Sequence, residues 1–161
     1  MVLHEIPPLV DKNSKVLILG SFPSPKSRES GFYYGHPQNR FWKVLSAVLS
    51  EPEPKTIEEK KALLLRNHVA LWDVIASCDI VGAGDSTIKN ALPNDFERIK
   101  KGSKIKAVFT TGGTAHKLYK KFTGEDSVLL PSPSPANCAV SMEKLIEEYK
   151  KILPYLEGKN D

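Results

Sequence analysis

Apolar residues gather along this chain in two distinct ways. Four short, largely apolar runs occupy residues 16–19 (VLIL), 69–72 (VALW), 105–109 (IKAVF) and 127–130 (SVLL). Runs of this length predict strands buried on both faces of a sheet. Between them the period lengthens. Phe41, Val44, Leu45, Val48 and Leu49 recur at helical spacing, and Pro52 and Pro54 end that pattern. Thr56-Ile57-Glu58-Glu59 is a capping box that starts a second helix running to about residue 66. Asn94 opens another with Glu97 at its third position, and Gly102 stops it. Thr110-Thr111-Gly112-Gly113 leads into a helix ending near Phe122. Ser141 caps the last one, whose apolar side carries Leu145, Ile146, Tyr149 and Ile152 or Leu153.

Strands alternating with helices predict the α/β class: a three-layer α/β/α sandwich around a central, mostly parallel four-stranded sheet with right-handed crossovers. Residues 1–14, with Pro7-Pro8, are expected to form an arm or cover, and residues 77–91 a loop containing Gly82-Ala83-Gly84-Asp85-Ser86. No repeat or linker divides the chain, so residues 1–161 are expected to be one domain. The loops after all four strands should meet at the carboxyl edge of the sheet, where open parallel sheets bind ligands. The loop after residue 19 is the richest in rings and hydroxyls, and long loops of that kind tend to carry function.

Composition narrows the class. A hydrophobic content of 40% with 26% charged residues is that of a water-soluble domain. No apolar run approaches the ~20 residues that span a bilayer, and the start of the chain lacks a signal-like layout, so a cytoplasmic protein without membrane contact is expected. Cys78 and Cys138 stand far apart without a CxxC, which predicts reduced thiols and neither zinc nor an iron–sulfur cluster. The net charge is +4, with Lys100, Lys101, Lys104, Lys106, Lys117, Lys120 and Lys121 crowding the second half. Such a crowd is either a solvated face or a surface for a polyanion.

Two chemistries fail on the residues. Gly20-Ser21-Phe22-Pro23-Ser24-Pro25-Lys26-Ser27 is one residue away from a phosphate loop, but Pro25 replaces the glycine that motif requires. Pro23 deletes a further backbone donor. His4, His36, His68 and His116 are scattered and no serine sits in a GxSxG elbow, so a nucleophilic triad has no support.

A third reading rests on ordered motifs. GSFPS after the first strand, YYGHPQNRFW before the first long helix, LWDVIASC with GDSTIKNALPNDF, and SPSPAN after the last strand resemble the uracil-DNA glycosylase superfamily. The resemblance spans roughly residues 16–149 and is closest to the hypoxanthine-DNA (deoxyinosine) glycosylase branch. It implies hydrolysis of the N-glycosidic bond of deaminated bases in DNA by a monomer without metal or cofactor. Many superfamily members carry an acidic or amide residue just after the first strand. Here Gly20-Ser21-Phe22-Pro23 has none, and the branch's catalytic amide is the asparagine of HPQNRFW, Asn39. The same resemblance assigns the base to Gly20, Ser21, Phe22, Tyr34 and His36, and the DNA phosphates to Ser24, Ser132, Ser134 and Asn137. A bulky wedge often ends the last motif, whereas Ala136 and Asn137 stand there in this chain.

Each assignment has a plainer counterpart. Asn39 reads as a helix N-cap at the first turn, Phe22 as a core aromatic, and the two serines as a loop that ends a strand. A non-catalytic binder of damaged or single-stranded DNA, or an enzyme of free nucleosides, would use the same loops.

Overall fold

The computed structural model describes residues 1–82 and 84–157, so Ala83 of the glycine-containing loop lies outside the described residues. In chain order the strands are β1 (Val2–Leu3), β2 (Val16–Gly20), β3 (Val69–Asp73), β4 (Ile75–Asp79), β5 (Lys89–Pro93), β6 (Ala107–Thr111) and β7 (Val128–Leu130). The α-helices are α1 (Pro25–Ser30), α2 (Phe41–Val48), α3 (Ile57–Arg66), α4 (Phe96–Lys101), α5 (Gly113–Thr123), α6 (Met142–Tyr149) and α7 (Leu153–Leu156).

β3, β2, β6 and β7 lie side by side in that order and are parallel throughout. Every residue of β2 and β3 is buried, as continuous apolar runs require. α2 packs on α6, α3 on β3, and α5 on β6 and β7, giving the expected α/β/α sandwich. The predicted caps form at two helices. Thr56 and Glu59 exchange both bonds of the capping box at α3, and Ser141 accepts from the Lys144 N–H at α6. At α4 the cap falls one residue later than expected, on Asp95. Asn94 instead donates its amide to the Asp73 and Ile75 carbonyls and ties α4 to the end of β3.

A second sheet departs from the sequence reading. β1, β4 and β5 form an antiparallel trio out of residues expected to be an arm and a loop. The chain turns at Val74 straight from β3 into β4, so one apolar stretch serves two sheets. β5 is mostly exposed, its pairing with β4 is irregular, and Asn90 sits at φ +55°, so backbone pairing alone marks it as a strand. The arm is equally tied. Leu9 and Leu71 exchange backbone hydrogen bonds of 2.9 Å in both directions, which covers the open edge of β3.

Candidate active site

The carboxyl ends of the parallel strands open into a cavity of about 900 Å³. Gly20 to Ser24, Tyr33 and Tyr34, Asn39, Asp73, Asp85, Thr111 and the segment from Leu129 to Ser134 with Asn137 wall it. The loops after β2, β6 and β7 share this space with Asp73 at the end of β3, whereas the loop that brings in Asp85 follows β4 and not, as expected, the second parallel strand.

Gly20 ends β2 directly opposite Asp73 of β3. A Cβ at Gly20 would lie 2.6 Å from Asp73 Oδ1, so only glycine fits while that carboxylate stays in place. Ser21 donates its hydroxyl to Asp85 Oδ1 at 2.8 Å. Asp85 keeps an exposed edge, yet burial of its carboxyl pushes the pKa up; the Ser21 bond opposes that rise and the Asp73 charge adds to it. Phe22 is 8% exposed. The His4 ring meets it edge-on at 6.0 Å, and the Arg28 guanidinium lies 5.6 Å from the ring centroid. Phe22 is therefore both a core residue and part of the cavity wall. Ser24 caps α1 by accepting from the Ser27 N–H at 3.2 Å, and Pro25 occupies the first helical position, where its missing N–H costs nothing.

Tyr34 has φ +52° and stacks on Phe41 with centroids 3.9 Å apart. Its hydroxyl lies 3.3 Å from Thr111 Oγ1, and burial followed by the nearby Asp73 charge raises its pKa, so it keeps its proton. Tyr33 spends its hydroxyl on the Pro7 and Ile6 carbonyls and so fastens the arm to the cavity wall. His36 stands outside the lining, because its Nδ1 accepts from the Gln38 N–H at 3.1 Å in a tight turn. It does not join Tyr34 as a wall of the cavity.

Asn39 lines the cavity but lies ahead of α2, not on its first turn, since Arg40 is the N-cap. Its Oδ1 accepts from the Phe41 N–H at 2.9 Å, while its Nδ2 bonds to none of the described residues. The amide both holds the helix entrance and retains donors for another molecule. Arg40 then fastens the last loop. Its N–H donates to the Pro133 carbonyl at 3.1 Å, and its guanidinium donates to the carbonyls of Asn137 at 2.9 Å, Ser134 at 3.4 Å, and Val140. In that loop Ser132 Oγ accepts from the Ser134 N–H and Ser134 Oγ from the Ala136 N–H, both at 3.2 Å. The Asn137 amide donates to the Ser132 carbonyl at 3.0 Å. Each serine oxygen is thereby fixed as an acceptor, while its own O–H reaches no described residue. Ala136, in the wedge region, is small and exposed.

The sequence reading missed Asp73, His4, Thr111 and Arg40. Asp73 carried a signal: a charged residue closing a fully buried strand must have a partner. That partner is His4, whose Nε2 lies 2.9 Å from Asp73 Oδ2. His4, at the far end of the chain, carried none. Among the described residues no cluster of three or more His, Cys, Asp or Glu is arranged to hold a metal ion. No helix there is long and apolar enough to cross a membrane.

A covered parallel sheet whose carboxyl-end loops enclose a cavity of rings, hydroxyls and carboxylates defines an α/β protein with its cleft where open parallel sheets bind ligands. The chain belongs to the uracil DNA glycosylase superfamily, whose family model matches residues 7–157. It is 33% identical over 141 residues to the hypoxanthine DNA glycosylase of Methanosarcina acetivorans, covering 85% of this chain and 89% of that protein. To the protein of the same name from Methanosarcina barkeri it is 33% identical over 135 residues, covering 81% and 85%. A solution NMR structure of a Methanosarcina acetivorans protein, described as a candidate uracil DNA glycosylase, superposes with a TM-score of 0.82 at 31% identity. That likeness covers 98% of this chain and all of the other.

Proposed function

We propose that this protein is a monofunctional DNA glycosylase that removes deaminated bases, hypoxanthine first among them, and leaves an abasic site. The observation that carries the reading is the shared cavity, in which Asn39, the Gly20–Ser24 loop, Tyr34 and the Ser132–Ser134 loop face one another in a chain of this superfamily.

A base inside a duplex is out of reach, so the target nucleotide must be flipped into the cavity at a cost of a few kcal/mol in lost stacking and pairing, least for a mispaired base. Tyr34, stacked on Phe41, and Phe22 put two rings in the cavity wall as stacking platforms for a base. Each such stack is worth ~1–3 kcal/mol. Ser132, Ser134, Ser24 and Asn137 hold the phosphates beside the lesion, with the Ser132 and Ser134 O–H groups as donors. An amide is too weak a base to deprotonate water, so Asn39 orients the water against the sugar C1′. The barrier falls mainly through positioning and electrostatic support of an oxocarbenium-like sugar. The enzyme acts as a single domain and a monomer, without metal or cofactor.

Incubation with oligonucleotides bearing one hypoxanthine, uracil or xanthine, followed by hot alkali, tests this. Strand breakage at the lesion is expected. Unbroken strands bound with high affinity would leave the non-catalytic binder as the better account.

A further inference from the structure

A second concavity opens beside the cavity, and the mechanism above makes no use of it. It holds about 480 Å³, within the size range of small-molecule sites, and meets the first at Asp85, which lines both. α5 builds one wall. Thr114, Lys117, Leu118, Lys121 and Phe122 fall at i, i+3, i+4, i+7 and i+8, so they share one face of that helix. Ala115 and Tyr119 carry its fully buried stripe. A solvated helix face needs neither Leu118 nor Phe122, yet both lie half-buried along this groove. Ile88 and Ala91, just before and within β5, are half-buried there as well. Four apolar side chains from two elements thus form a floor.

The rim is cationic. Lys89, Lys117 and Lys121 are exposed, and none has an acidic partner among the described residues. The Lys121 ammonium lies 5.8 Å from the Phe122 ring centroid, so a cation and an aromatic ring stand side by side. Asn90 donates its amide to Asp79 Oδ2 at 2.7 Å, which leaves its side-chain oxygen as an acceptor. The Thr114 hydroxyl, also in the lining, bonds to none of the described residues.

An apolar floor under a cationic rim suits a flat ring joined to a phosphate. A bare inorganic anion would leave the floor unused. An apolar peptide would leave three ammonium groups without a counter-charge. Position narrows the choice further, because a strand that delivers one nucleotide to the cavity passes the mouth of the groove at Asp85.

Resting on the glycosylase reading of the cavity, we propose that this groove binds the nucleotide next to the flipped one on the same DNA strand. Its base lies on Leu118, Phe122 and Ile88, and its phosphate meets Lys117 and Lys121. A neighbour held there has left its own stack and partner. The enzyme therefore favours a lesion in single-stranded DNA or beside a mismatch.

The test uses single-stranded oligonucleotides carrying one hypoxanthine, with the nucleotide on its 5′ or its 3′ side replaced by an abasic tetrahydrofuran. Single-turnover excision is followed over a range of enzyme concentrations for the full chain, Leu118→Ser and Ala91→Glu. In the wild type, loss of the base on one side should raise the half-saturating concentration roughly 10-fold, as expected for one stacked base, and leave the saturating rate unchanged. Leu118→Ser breaks the floor, and Ala91→Glu fills the groove with a carboxylate. Each variant should show the raised half-saturation on the intact oligonucleotide, with no further loss when the neighbouring base is removed. Ala91→Glu changes a half-buried residue of β5, so it decides the matter should Leu118→Ser fail to fold. A matched duplex should need more enzyme for saturation than the single strand, and a mismatch at the neighbour should close part of that gap. A neighbour penalty that persists in a folded variant, or is missing from the wild type, would overturn the inference. Excision confined to matched duplex would overturn it too. Those outcomes leave the glycosylase reading standing, whereas a wild type that excises no base from any oligonucleotide defeats both.

Discussion

Asn39 holds two jobs, and they separate by substitution. Asn39→Ala removes the bond to the Phe41 N–H, so a stability loss of about 1 kcal/mol is expected from the lost cap. It should also slow single-turnover excision of hypoxanthine by on the order of 10²-fold or more if the amide orients the water. Asn39→Asp keeps an oxygen for the Phe41 N–H, so its melting temperature should stay near that of the wild type while its rate reports the chemistry alone. An Asn39→Ala enzyme that melts lower yet excises normally would reduce Asn39 to a cap. Phe22 poses the same kind of question. It is buried at 8% exposure, faces the cavity, and has Arg28 beside its ring. Phe22→Leu keeps most of the apolar volume, so stability should fall by less than ~1.5 kcal/mol. Loss of the π face should raise the excision barrier by up to ~1–3 kcal/mol. Thermal melting together with the single-turnover rate decides between platform and core.

At the scale of elements, what was legible follows from burial. β2, β3, β6 and β7 are covered by helices, and continuous apolar runs announce that situation. β4 and β5 face solvent in part, are irregularly paired and contain Ser77, Asp79 and Asn90, so no period of two survives to be read. β1 is two residues long and exists only because β4 offers it an edge. The site divides in the same way. Gly20, Phe22, Tyr34, Asn39 and the Ser132–Ser134 loop sit in local motifs, whereas the Gly20–Asp73 contact depends on strand register and His4–Asp73 spans 69 positions of sequence. Arg40 belongs to this scale too, as the clasp between α2 and the last loop. A lysine carries a point charge and cannot reach three carbonyls in one plane. Arg40→Lys should therefore cost about 1–3 kcal/mol of stability, the worth of a charged hydrogen bond or two. It should also weaken DNA binding, because Ser132 and Ser134 lose their fixed place. Unchanged melting and unchanged affinity would mean that the serine turns hold the loop unaided.

For the whole molecule the open question is where the duplex lies, and charge supplies the argument. The net charge of +4 is modest, and part of the lysine crowd is already engaged: Lys100 pairs with Glu125 at 2.8 Å and Lys120 with Asp126 at 3.2 Å. Lys117 and Lys121 of α5 have no acidic partner among the described residues. With Lys89 they line a groove of about 480 Å³ that adjoins the main cavity at Asp85. Three cations with no acidic partner among the described residues, beside the cavity, suit the backbone that would flank a flipped nucleotide in the proposed reaction. Each phosphate they neutralise releases a counterion, so log K should fall with log salt by ~0.9 per contact on duplex and ~0.7 on a single strand. Replacing Lys117 and Lys121 by alanine should lower that slope by about 1 for each residue and weaken binding evenly across sequences. Fluorescence anisotropy of a labelled hypoxanthine duplex across a salt series measures both quantities. A steep slope that survives the double substitution would move the DNA track off α5. A flat slope in the wild type would remove polymer phosphates from the account and favour an enzyme of free nucleosides.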